Sequence, residues 1–76
     1  MSLTVYGTSW CPDVKRIRAL LDREGVEYSY VDVEADADAE RRVRELQDGA
    51  RKIPTIVWDD GTFLVEPSDD ELSARL

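Results

Sequence analysis

The chain has 76 residues, 42% of them hydrophobic and 36% charged, and a formal net charge of -7. That is enough apolar residue for one folded domain spanning 1–76 and too little chain for a second, and no run approaches the ~20 apolar residues a membrane span needs. With one cysteine and no histidine, an internal disulfide and the usual Cys/His metal sites are excluded, and the acidic balance disfavours nucleic acid and anionic membranes, both of which call for clustered Lys and Arg.

In chain order, Leu3 to Tyr6 is short, apolar and β-prone, and Gly7-Thr8-Ser9 breaks it before Cys11-Pro12. Pro12 suits a first helical position, where its missing N–H costs nothing. Val14, Ile17, Leu20 and Leu21 then recur at helical spacing, and Gly25 ends the helix. Tyr28 to Val33 alternates as a second strand. The acidic run Glu34 to Glu40 leads into a second helix with Ala39, Val43, Leu46 and Ala50 on one stripe; the early acids favour the helix dipole, and the run reads as a solvated face.

After Lys52-Ile53-Pro54, the segments Thr55 to Trp58 and Thr62 to Val65 flank Asp59-Asp60-Gly61, a hairpin signal. Ser68-Asp69-Asp70-Glu71 fits the capping box of a last helix, from which Leu72 and Leu76 are expected to pack inward. The order βαβ-α-ββα predicts an α/β fold: a four-stranded mixed sheet with three helices on its faces.

Chemistry in such a sheet gathers at the carboxyl ends of the parallel strands, and Cys11 sits where the first strand gives way to the first helix. A sulfur there faces free N–H groups and the positive end of the helix dipole, an arrangement that favours thiolate over thiol. Lys15 and Arg16 are expected to add to this effect and Asp13 to oppose it. Thiolate is the species that attacks disulfides.

Ile53-Pro54 is the second element, because X-Pro is the one peptide bond for which cis is cheap. A cis bond would turn the Ile53 backbone toward Cys11, where a substrate backbone can pair with it as a short added strand; the plainer alternative is a trans proline opening an edge strand. Thr8, Ser9 and Trp10 surround the thiol, and Trp10 reads equally as a screen for the sulfur or as a packing residue. Arg51 and Lys52 stand where they can steer an anionic thiol compound.

Taken together, Thr8-Ser9-Trp10-Cys11-Pro12, Ile53-Pro54, and Asp60-Gly61-Thr62 followed by Glu66-Pro67-Ser68 resemble the glutaredoxin family, and most of all its short mycoredoxin-like branch. The resemblance spans nearly the whole chain and lies in order and spacing more than in any one motif. It implies a thioredoxin fold, a nucleophilic Cys11 and a cis Pro54. It also implies a thiol compound bound among Thr8, Ser9, Trp10, Pro12, Arg51, Lys52, Ile53, Pro54 and Ser68. The implied activity is reduction of mixed disulfides between S-thiolated proteins and a low-molecular-weight thiol (mycothiol, glutathione or bacillithiol), which serves as co-substrate, with no tightly bound cofactor or metal. A cytoplasmic monomer is expected, able to link through Cys11 into a dimer when oxidised.

Two departures stand out. Val14 occupies the place of the second cysteine of Cys-x-x-Cys, so a dithiol cycle is closed to this chain and a one-thiol route remains. Whether Val14 is the natural residue or an engineered one stays open at this stage. Glu66-Pro67-Ser68-Asp69 replaces the Gly-Gly pair with which glutathione-binding members receive a carboxylate, which favours mycothiol over glutathione. The alternatives are a dithiol redoxin lacking its resolving cysteine, and a non-catalytic thioredoxin-fold module that binds partners or senses redox state.

Overall fold

The structure, a computed structural model, describes residues 2–76. Its elements are β1 (Leu3–Gly7), α1 (Pro12–Arg23), β2 (Ser29–Asp32), α2 (Ala37–Leu46), β3 (Thr55–Trp58), β4 (Phe63–Val65) and α3 (Asp69–Ser73). The four strands form one sheet in the order β2-β1-β3-β4, with β1 parallel to β2 and the other two pairings antiparallel. This is the four-stranded mixed α/β sheet with three helices expected from the element order, in the thioredoxin arrangement that the resemblance implied.

The two central strands carry the core because both of their faces are covered. Alternation along β1 and β3 sends Leu3, Val5, Ile56 and Trp58 to one side, where they meet Ile17, Leu20 and Leu21 of α1 and Leu72 of α3. Burying one such side chain contributes roughly 1.5–3 kcal/mol. On the other side, Ala39 and Val43 of α2 close with Val33 over Tyr6, Val31 and Ile53.

Local chemistry fixes the helix ends. Cys11 is the N-cap of α1 with Pro12 as the first helical residue, and Gly25 past the C-cap takes φ +69°, a conformation that suits glycine. Asp36 caps α2 by accepting from the N–H groups of Asp38 and Ala39. The Ser68/Glu71 capping box closes as expected, at 2.9 and 3.1 Å. The hairpin also forms, with Gly61 at φ +89° and Trp58 N–H donating to Thr62 O.

Three expectations need correction. Helix α2 ends at Leu46, and Asp48 (φ 54°) and Gly49 (φ 98°) turn the chain away, so Ala50 lies outside the apolar stripe. Leu76 is 41% exposed, because α3 stops at Ser73 and cannot carry a second inward position. Strand β2 is shorter than Tyr28 to Val33; Val33 N–H bonds to Gly7 O beyond the last paired residue.

Candidate functional site

Strand register gathers the site at one end of the sheet. Gly7 pairs with Asp32, Tyr6 with Thr55, and Thr55 with Val65. The turn Thr8–Cys11, the loop after Asp32, the Ile53-Pro54 step and the segment Glu66–Ser68 therefore leave the sheet side by side. The Ile53-Pro54 bond is cis, and Pro54 is buried with its carbonyl accepting from Glu66 N–H at 2.8 Å.

Cys11 is only 9% exposed and forms no disulfide. Its backbone N–H reaches Thr8 O at 3.4 Å. The expected grip of helix N–H groups on the sulfur is absent as a hydrogen bond, for the N-cap side chain makes no capping bond; Pro12, the first helical residue, has no N–H to give. Three residues on, Val14 is 1% exposed. A Cβ at Gly7 would stand 2.6 Å from Val14 Cγ2, so the lack of a side chain at Gly7 is what lets Val14 sit against the strand.

Around the thiol the predicted residues divide. Ser9 and Pro12 are exposed, while Thr8 is fully buried and among the described residues its Oγ1 has no hydrogen-bond partner. Trp10 is 60% exposed, which rules out core packing, and its indole N–H donates to Glu34 Oε1 at 2.8 Å. Glu34 is itself placed by its backbone N–H on Asp32 Oδ1. An open aromatic face fixed by a carboxylate thus stands directly before Cys11.

Arg16, expected to act on the thiol, is committed elsewhere: its guanidinium pairs with Asp69 and Asp13 and donates to Pro67 O. This ties the start of α1 to the start of α3. Lys15 is exposed. Arg51 is half-buried and Lys52 exposed, and among the described residues neither joins an ion pair. Ser68 serves as the α3 cap, its Oγ accepting from Glu71 N–H and its own N–H bound to Glu71 Oε1.

Tyr30 lies near this end, with the Arg18 guanidinium 4.1 Å from its ring centre and its hydroxyl buried with no partner among the described residues. Burial, and then the Asp32 carboxylate, hold its phenol above the ordinary range, so it stays neutral. Among the described residues no group of three or more Cys, Asp or Glu is placed to hold a metal, and no helix is long and apolar enough to cross a membrane.

Sequence reasoning missed Gln47. Its amide accepts from Lys52 N–H at 3.0 Å and donates to Lys52 O at 3.0 Å and to Thr55 Oγ1 at 2.7 Å, holding the loop that delivers Pro54. It missed Glu34 too, which sits in the run read as solvated. Neither carried a local signal: Glu34 meets Trp10 of the β1–α1 turn, 24 residues away, and Gln47 meets Lys52 and Thr55 across the Asp48-Gly49 turn.

The glutaredoxin family model matches residues 3–63. Mycoredoxin 1 of Corynebacterium glutamicum is 36% identical over 75 residues, covering 99% of this chain and 92% of the relative. Among solved structures, the thioredoxin-like protein BC3987 superposes with a TM-score of 0.86 at 28% identity, over 97% of this chain and 99% of the other. A glutaredoxin from Archaeoglobus fulgidus shares the fold at a TM-score of 0.76 and 22% identity, over 95% of this chain and 82% of the other.

Proposed function

This chain belongs to the glutaredoxin family, whose members are thiol oxidoreductases using a low-molecular-weight thiol as co-substrate, and we propose that residues 1–76 act as one such domain through Cys11 alone. The Cys11 thiolate attacks the small-thiol sulfur of a mixed disulfide. A bond forms between Cys11 and the small thiol, the protein thiolate leaves and takes up a proton. A second small-thiol molecule, as its thiolate, then attacks the adduct, releasing the symmetrical small-thiol disulfide and restoring Cys11. In balance one disulfide is exchanged for another: the protein sulfur passes from disulfide to thiol as the sulfur of the second small-thiol molecule passes from thiol to disulfide, and the first keeps its oxidation level.

The one-thiol route follows from the single cysteine of the chain. Val14 is buried against Gly7, and the cycle asks nothing further of that position.

The small thiol we assign is mycothiol in preference to glutathione, and the observation that carries this is the state of the backbone at 66–68. Glu66 N–H is bound to Pro54 O, Pro67 has no N–H, and Ser68 N–H is bound to Glu71 Oε1. A carboxylate arriving there finds no free backbone N–H in three successive residues, and meets the acids Glu66, Asp69 and Asp70 in a chain of net charge -7. Glutathione brings two carboxylates; a sugar-linked thiol without them meets less repulsion. Bacillithiol, which also carries carboxylates, ranks below it for the same reason.

The test is turnover on one S-thiolated protein with mycothiol, glutathione and bacillithiol supplied in parallel at equal concentration. Mycothiol is expected to support the highest kcat/KM by about tenfold or more. Equal rates with all three would contradict the assignment of the thiol, and silence with all three would contradict the redox reading as a whole.

A further inference from the structure

The α2–β3 loop is held with unusual completeness for a surface segment. Gln47 spans Lys52 like a short strand, taking its N–H on Oε1 and giving Nε2–H to its carbonyl, and the same Nε2 reaches Thr55 Oγ1. Thr55 Oγ1 then donates to Lys52 O at 2.7 Å. The loop's other half is fixed by Arg44, whose backbone carbonyl accepts from Gly49 N–H at 2.7 Å and whose Nη1 donates to Gly49 O at 2.8 Å.

Between these restraints stands Ile53. Its side chain packs against Val33, Ala39 and Val43, yet among the described residues its N–H and C=O make no hydrogen bond within the chain. A backbone donor and acceptor held in fixed positions, unpaired, at the sheet end that carries Cys11, form the template for one added β-type pairing.

We propose that Gln47 is a positioning residue: by clamping Lys52 and Thr55 on either side of the Ile53-Pro54 step, it holds the Ile53 N–H and C=O where they pair with the amide backbone of the cysteine that reacts with Cys11. The ligand chemistry is a cysteine bearing an amide on both sides, whether in an acylated small thiol or in a peptide. This rests on the reading of Cys11 above. Gln47 itself touches no reacting atom; it acts through Lys52 and Thr55.

The experiment follows one exchange step with two disulfides of 2-nitro-5-thiobenzoate, one with N-acetylcysteine methylamide and one with 2-mercaptoethanol. In both, Cys11 forms a bond to the alkyl sulfur and the coloured aromatic thiolate leaves. Only the first probe has a backbone to pair. Gln47→Ala is expected to slow exchange with the blocked cysteine roughly tenfold, the size of one or two hydrogen bonds, and to leave the 2-mercaptoethanol rate unchanged. Gln47→Glu, which keeps the acceptor for Lys52 N–H and loses the donor, is expected to fall between, and it carries the same comparison if the alanine variant does not fold. Equal slowing of both probes, or of neither, overturns the role of Gln47 while leaving Cys11 as the nucleophile. A wild-type chain inert toward both probes overturns the Cys11 reading and this one with it.

Discussion

Two threonines are fully buried, one on each side of the candidate site, and they live in opposite surroundings. Thr55 accepts from Gln47 and donates to Lys52, so its hydroxyl is satisfied inside a closed network. Thr8, in the turn that carries Cys11, has an Oγ1 with no partner among the described residues. The lesson is a division of labour. The loop proposed to dock a substrate backbone is paired internally through a shared set of side-chain and backbone bonds, while the turn proposed to bear the nucleophile has one long backbone bond across it, 3.4 Å from Cys11 N to Thr8 O, and is tied from outside by Trp10 to Glu34.

Removing each hydroxyl should therefore have unequal effects. Thr55→Val leaves one Gln47 N–H without its acceptor and Lys52 O with one donor in place of two, which is expected to cost about 1–3 kcal/mol in urea unfolding. Thr8→Val removes a buried polar group that has nothing to bond, and is expected to be neutral or to stabilise by up to roughly 1 kcal/mol. If both lose stability equally, the two loops do not differ as described.

A smaller effect belongs to the start of α3, which follows the Pro54–Glu66 contact. Glu71 is held below the usual carboxylate range, chiefly by Ser68 N–H and then by the Ser68 hydroxyl. A folded-state pKa below the unfolded one gives stability that is present above the unfolded value and fades as pH falls through the folded one. Glu71→Gln keeps an acceptor for Ser68 N–H but cannot ionise. Its urea midpoint should lie slightly below wild type at neutral pH and meet it at acid pH; a gap that stays constant across the range would show that the carboxylate charge contributes nothing.

Most of the fold was legible because its signals are local. Pro12, Gly25, Asp59-Asp60-Gly61 and the Ser68/Glu71 box each act within a few residues, and apolar spacing identified the inward face of α1 and the Ala39 and Val43 positions of α2. Leu76 failed for the converse reason: periodicity continues on paper, but α3 ends at Ser73. Within the site, Cys11 and the cis Ile53-Pro54 bond were visible in the chain. The partners that define their surroundings were not, since Trp10 meets Glu34 across 24 residues and Arg16 meets Asp69 across 53. Arg16 illustrates the cost: read from sequence as a neighbour of the thiol, it instead ties two helices together. Gln47 binds over shorter distances but across the Asp48-Gly49 reversal, whose positive φ angles carry no reading of what the side chain beyond will meet.

The central claim is that Cys11 itself receives the small thiol. Its most direct test is mass spectrometry of the chain after a single encounter with a protein carrying mycothiol in mixed disulfide, with Cys11→Ser alongside. The account predicts a wild-type chain heavier by one mycothiol on the Cys11 peptide, with the substrate protein released as free thiol and no adduct in Cys11→Ser. An adduct between Cys11 and the substrate protein in place of mycothiol, or release of free substrate by Cys11→Ser, would contradict it.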